Sequence, residues 1–169
     1  MRVHYILVCL ALVMPFWAAA ADDTHLSTEK LIHKADEGNR AEIELANLAL
    51  KKSNDKEVQQ LAGRIIDDHR EANETVKQLA KEHGVKLNEG KTKAHKDLHA
   101  RLSSLQGEEF DREYIKAMAK AHQKDIDFYN QQAKSAPHES LRDYFSHTAP
   151  VLNTHLAKVK EIQTSQASR

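Results

Sequence analysis

Cysteine is nearly absent from this sequence. The single Cys9 lies inside an apolar N-terminal run, so the chain beyond it offers no disulfide, no thiolate ligand and no Cys nucleophile. Any metal must therefore be held by nitrogen and oxygen donors. Five Gly and three Pro leave little material for the tight turns of a sheet protein. No Gly-rich phosphate loop and no Ser/His/Asp pattern stands out, which removes the usual signatures of nucleotide chemistry and acyl transfer. An excess of charge is missing too. The 25 basic side chains meet 25 acidic ones, so no field points to nucleic acid or an anionic membrane surface as the partner. What remains is rich in Ala, Leu, Lys, Glu and Gln, with 40% hydrophobic content, enough for one core in one domain. The class expected is all-α.

The first residues are set aside before any fold reasoning. "MRVHYILVCLALVMPFWAAAADD" has Arg2 at its positive end, an apolar run from Tyr5 to Trp17, and alanines leading to Asp22. This is the pattern of a secretory signal over residues 1–21, cleaved after Ala20 or Ala21. The run is shorter than the roughly 20 residues that span a bilayer, so no stable membrane insertion is expected after cleavage. Residues 22–169 are then the exported domain, and the periplasm is the expected compartment.

From Asp22 onward the apolar spacing is helical. A first helix near 24–52 gathers Leu31, Ala35, Leu45, Ala46, Ala49 and Leu50 on one face. "SND" at 53–55 ends it and caps a second, near 55–83, that stops at Gly84. A modest helix carrying Leu98, Leu102 and Leu105 occupies the connection 85–107 and closes at Gly107. The third long helix spans about 109–136. The fourth spans about 138–163, where Pro150 predicts a kink, and the tail "QTSQASR" is expected to fray. Short, long and short connections make two antiparallel hairpins packed as a four-helix bundle.

Projection of these helices turns certain polar residues inward. Glu42 falls at the centre of the first apolar face, while Glu44 projects outward. In "RIIDDHREAN", His69 lies between Ile65 and Ala72, Asp68 sits at the edge, and Asp67 points to solvent. The third helix turns in His122 and Asp125, three residues apart and hence on one face. His155 borders the face of the fourth. Asp111 also points inward, but at the start of its helix it reads as a cap. Measured from the turns near Ser53 and Ala136, Glu42 with His69, and His122 with His155, differ in depth by about one helical turn. The tilt of helical Cβ atoms narrows that gap, so the set converges. Carboxylate and imidazole suit Fe, Mn, Zn or Cu, and bundle cores are where such sites are built. A hydrogen-bonded polar layer would satisfy the same buried groups. The i,i+4 pair His95 and His99 reads as a solvated face able to take adventitious metal.

The segments "AEIELANLAL" (41–50), "AGRIIDDHREANETVKQLA" (62–80), "FDREYIKAMAKAH" (110–122) and "TAPVLNTHL" (148–156) resemble DUF4142, a family of exported bacterial proteins with a ferritin-like four-helix fold. The resemblance implies that fold. It also places the family's recurrent Glu, Asp-His, His and His on Glu42, Asp68 with His69, His122 and His155. The Glu-x-x-His pair of di-iron ferritins is absent, its nearest counterpart being "HQKD" with His122 and Asp125, which argues against ferroxidase chemistry.

Two functions follow as expectations. One is a periplasmic bundle holding a metal ion through Glu42, His69, His122 and His155, with Asp68 and Asp125 as further ligands or as acceptors that orient imidazoles. The other is a non-enzymatic envelope or stress-related bundle with a structural polar layer and a protein partner. Acid–base catalysis without metal lacks a supporting motif, and a homo-oligomer is compatible with either function.

Overall fold

The computed structural model describes residues 26–168; the expected leader, Cys9 and His25 lie outside them. The described residues form five helices and no strand: α1 (Thr28–Lys52), α2 (Lys56–Glu82), α3 (Lys93–Ser103), α4 (Gly107–Ser135) and α5 (Glu139–Ala167). α1 packs along α2 and α4 along α5, and the two hairpins meet chiefly through α2 and α5. Local chemistry sets the turns. Asp55 accepts hydrogen bonds from the N–H groups of Glu57 and Val58, satisfying donors at the start of α2 that have no partner within the helix. At the other end Gly84 takes φ 65°, Val85 N–H donates to Ala80 O at 2.8 Å and Gly84 N–H to Lys81 O at 3.4 Å. That pair of bonds is the Schellman ending a glycine permits.

Three details differ from the sequence reading. Gly107 does not close the short helix; α3 ends at Ser103, and Gly107, with φ 54°, opens α4. The tail does not fray at Gln163. α5 continues to Ala167 because Ile162 is fully buried, and Thr164 and Ser168 tie back to carbonyls one turn earlier. α5 also runs on through Pro150, the position at which the sequence predicts a kink. Pro150 and Ser146 are both exposed, so water can reach the Ser146 carbonyl that Pro150 leaves without an N–H partner. Leu50 is 41% exposed, lying at the end of α1 beyond the apolar face.

The core is not continuous. One apolar cluster is built from Leu31, Val76, Ile126, Leu141 and Phe145 with their neighbours, and a second from Leu45, Ile65, Phe110, Met118 and Val159 with theirs. Along each long helix a buried polar residue stands where one cluster gives way to the other: Glu42 on α1, His69 on α2, His122 on α4 and His155 on α5. Full burial of each large apolar side chain stabilises by about 1.5–3 kcal/mol, so the two clusters can bear the cost of a polar layer between them.

The connection 83–106 is held down by α1. Arg40 pairs with Asp36 at 2.9 Å and donates to the carbonyl of Asn88 at 2.6 Å, and Glu37 accepts from Thr92 N–H at 2.9 Å. These ties lay α3 across the outside of α1, where Leu102, fully buried, anchors it.

Candidate metal centre

The polar layer brings five of the six expected residues into direct contact. Glu42 is 5% exposed and His122 fully buried. Glu42 Oε2 lies 3.0 Å from His69 Nε2 and 3.4 Å from His122 Nε2. His122 Nε2 lies 3.1 Å from His155 Nδ1. One ring nitrogen from each of His69, His122 and His155 falls within 4.8 Å of the other two. Asp68 joins through the outer nitrogen of His155, with Oδ2 2.8 Å from Nε2, and the same oxygen takes Arg64 at 2.9 Å. Asp125 is half-buried and makes none of these contacts; it shares the wall of a cavity of about 20 Å³ with Glu42, His69 and Asn39. A volume of that size holds one water-sized guest.

The protons can be placed from the partners. His122 Nδ1 is 3.1 Å from the carbonyl of Met118, one turn earlier, and a carbonyl only accepts. Nδ1 therefore carries the hydrogen, and in a neutral ring Nε2 is a lone pair. His155 Nε2 faces the carboxylate of Asp68, so it carries the hydrogen and Nδ1 is the lone pair. His69 Nδ1 donates to Asn39 Oδ1 at 3.0 Å, because the amide nitrogen of Asn39 is committed to the Tyr144 hydroxyl at 3.2 Å. Its Nε2 also faces inward. Two neutral imidazoles would thus meet lone pair to lone pair across 3.1 Å between His122 and His155. Only a cation, whether a proton or a metal ion, makes that contact favourable.

Glu42 makes the same demand from the other side. Neither carboxylate oxygen receives a hydrogen bond, and His69 Nε2, though 3.0 Å from Oε2, is likewise without a directed bond. The attraction between the two is therefore charge at close range. Burial acts to raise the Glu42 pKa, but the positive charge of protonated His122 and His69 outweighs it and brings the carboxyl down to about 2. For His69, burial lowers the pKa and the Glu42 charge reverses that, leaving it raised. His155 goes the other way, to about 4, under burial and repulsion from its two neighbouring imidazoles. Burial and then the charge of Glu42 lift Asp125 to about 6. Each group is thus sensitive to whatever positive charge the layer contains.

The donor set fits a metal ion. A tetrahedral ion with nitrogen ligands at about 2.0–2.1 Å separates its ligands by roughly 3.3 Å; three of the contacts, at 3.0, 3.1 and 3.4 Å, lie near that spacing, and the three ring nitrogens together lie within 4.8 Å, a gap that side-chain adjustment would close. Each imidazole already gives its other nitrogen to an oxygen acceptor, the arrangement that fixes tautomer and ring orientation in metal-bound histidines. Asp68 also lines a groove of about 510 Å³ between α2 and α5, so the carboxylate on the outer side of His155 is reached from that groove.

Sequence reasoning missed Asn39, which shares the α1 face with Glu42 three residues on and positions His69. It also missed Tyr114, whose buried hydroxyl makes no hydrogen bond and whose pKa is pushed up by burial and then by Glu42. The i,i+3 spacing of Asn39 and Glu42 was the available signal for the first; for the second it was the place of Tyr114 on the apolar face of its helix, which gave no sign of a hydroxyl left without a partner. One expectation is corrected: His95 is 8% exposed and not on a solvated face. Glu44 points away from the core as expected but is only partly exposed, because it is covered from outside. The cause is the connection folding back, which sets His95 Nε2 2.9 Å and Lys91 Nζ 2.7 Å from the Glu44 carboxylate. Asp67 is exposed as expected.

Solved structures share this fold. "CopM in the Cu(II)-bound form" aligns with a TM-score of 0.71 at 18% identity, covering 83% of this chain and 98% of CopM. A DUF305 fragment from Deinococcus radiodurans gives 0.73 at 16% identity over 82% of this chain and 95% of that one. A putative secreted DUF305 protein from Streptomyces coelicolor gives 0.72 at 10% identity, covering 83% and 93%. At such identities the likeness establishes the helical bundle alone. A comparison with curated proteins finds no match. Residues 14–162, by contrast, match the model of the domain of unknown function DUF4142 across nearly the whole bundle, and the chain belongs to that family.

Proposed function

We propose that this protein is an exported helical bundle that holds one metal ion of the Cu(II) or Zn(II) class in its central polar layer. The ligands are His69 Nε2, His122 Nε2, His155 Nδ1 and the carboxylate of Glu42. Asp68, Asn39 and the Met118 carbonyl orient the rings, and Asp125 supplies negative charge beside the site. The observation that carries this reading is the 3.1 Å approach of two imidazole nitrogens whose rings each donate their N–H from the other nitrogen elsewhere. Three imidazoles and one carboxylate, with no sulfur, favour Zn or Cu over the oxygen-preferring Mn, and among divalent first-row ions Cu(II) binds such donors most tightly. The bound ion supplies the positive charge that the layer's lone pairs and carboxylate require. The copper- and silver-bound forms of the similarly folded CopM support a metal-holding role for this kind of bundle. Export rests on the leader pattern of residues 1–21; among the described residues no helix is long and apolar enough to cross a membrane.

The test is metal analysis of protein purified from its native compartment, followed by thermal melts of the metal-free chain with Cu(II), Zn(II) and Mn(II). An ion that binds only the folded state stabilises it by about 2.7 kcal/mol at one hundred times Kd. His69→Ala with His122→Ala should abolish the tight equivalent. If the native protein carries no metal and no ion raises the melting temperature, the layer is a structural one, held together by protons on its histidines.

A further inference from the structure

A second cluster of ligand atoms lies outside the core, where α3 crosses α1. We propose that Glu44, His95 and His99 form a surface site for a borderline divalent cation such as Zn(II) or Cu(II), which clips the connection helix onto the bundle. The i,i+4 spacing puts both histidines on one face of α3. That face meets a single carboxylate: His95 Nε2 is 2.9 Å from Glu44 Oε2, and His99 Nε2 is 3.5 Å from Oε1. Each imidazole thus addresses a different oxygen of the same group, from an element contributed by a separate part of the chain. His95 is nearly buried, so its ring is held in place and does not sample solvent. His99 Nδ1 lies 3.4 Å from the Ser103 hydroxyl, leaving Nε2 as the nitrogen turned toward Glu44.

The carboxylate is shared at present with Lys91, whose ammonium lies within 2.8 Å of both oxygens. Lys91 is 45% exposed on a flexible stem and can swing into water at little cost. A cation arriving between the imidazoles would take its place, exchanging a screened surface ion pair for coordination by two nitrogens and an oxygen. Those donors, again without sulfur, suit Zn(II), Cu(II) or Ni(II). The site is separate from the polar layer: Glu42 and Glu44 are two residues apart and so point to different sides of α1. It also has a structural consequence. Among the α3 side chains only Leu102 and His95 are buried, so the helix is weakly fastened, and a cation bridging it to α1 would reduce its local opening.

The experiment uses the full exported chain stripped of metal. Zn(II) titration by calorimetry is combined with hydrogen exchange of residues 93–103, for the native sequence, His95→Gln with His99→Gln, Glu44→Gln, Lys91→Met, and His69→Ala with His122→Ala. The native sequence should show slower exchange in α3 when Zn(II) is added. That slowing, and one equivalent of binding, should vanish in the His95/His99 and Glu44 variants and persist in the His69/His122 variant, so this site stands or falls independently of the central one. Lys91→Met should raise the affinity several-fold, because the ion no longer competes with an ammonium for the carboxylate; if the cluster were only an ion-pair tie, losing Lys91 would loosen α3 and add no binding. Unchanged stoichiometry in both the His95/His99 and Glu44 variants, saturation only at millimolar Zn(II), or weaker binding in Lys91→Met would overturn the proposal.

Discussion

Replacing Glu42 by Gln removes one negative charge from the centre of the bundle while keeping the shape of the side chain. In the metal-free protein that charge faces His69 Nε2 at 3.0 Å and His122 Nε2 at 3.4 Å, and no hydrogen bond from elsewhere supports it. The size of the effect follows from its titration. A fall of the Glu42 pKa from 4.5 to about 2, at about 1.4 kcal/mol per pH unit, corresponds to roughly 3 kcal/mol. Because the folded value is depressed, this stabilisation is present above the unfolded pKa of 4.5 and is lost as pH falls through about 2. His69 sets the other limit. Its pKa is raised from 6.5 in the fold, so its share is complete below 6.5 and is lost as pH rises through the folded value. The difference between native protein and Glu42→Gln should therefore be greatest between pH 4.5 and 6.5. There it should be about 2–3 kcal/mol, or about 4–12 °C in melting temperature for a chain of this length. It should shrink on both sides of that window. Urea unfolding with a chelator present, at pH 2.5, 5.5 and 9, measures it. A difference that stays constant across the three pH values, or Glu42→Gln as stable as the native protein at pH 5.5, would show that the carboxylate is not held by the imidazoles facing it.

Asp125 should respond in the opposite sense. Its folded pKa of about 6 lies above the ordinary 3.8, so ionisation in the fold is a penalty that is absent at pH 3 and complete well above pH 6. Asp125→Asn should stabilise the metal-free protein by about 1–3 kcal/mol at pH 8 and leave it unchanged at pH 3 in chemical denaturation. With metal present the same substitution should lower affinity, since it withdraws negative charge beside the ion. Asp68→Ala takes away the acceptor that holds His155 Nε2 and should weaken metal binding about 10–100-fold in a competition titration. Asp67→Ala, one residue away but exposed, should change stability by no more than about 0.5 kcal/mol and leave metal affinity unaltered.

Helix period and residue chemistry together were enough to read the bundle and the four facing side chains of its polar layer, though not Asn39 beside them, from the sequence. Apolar residues at i, i+3 and i+4 have one interpretation in a chain so poor in Gly and Pro, and a Glu or His placed among them must face inward. Depth counted from the Ser53 and Ala136 turns brought Glu42, His69, His122 and His155 to within about one helical turn, because the rise per residue is fixed by the helix itself, and the tilt of the Cβ atoms narrowed the rest. Asp55 and Gly84 were legible for the same reason: caps act within a few residues, on backbone groups that any helix leaves without partners.

What the tertiary structure decided depends on contacts between distant parts of the chain. The tautomer of His155 is set by Asp68, 87 residues earlier, and that of His69 by Asn39, 30 residues earlier. No periodicity encodes which ring nitrogen keeps its hydrogen. Asp125, chosen by the same projection as His122, was left at the cavity wall because projection gives direction and not reach. Glu44 was read as outward-facing from a helix projection, which knows only its own helix. It could not show that Arg40 and Glu37 would fold the connection back along α1 and bring His95 and His99 over that carboxylate. The direction of a side chain from its helix is local and is written in the sequence, while the partner waiting there depends on how the chain returns.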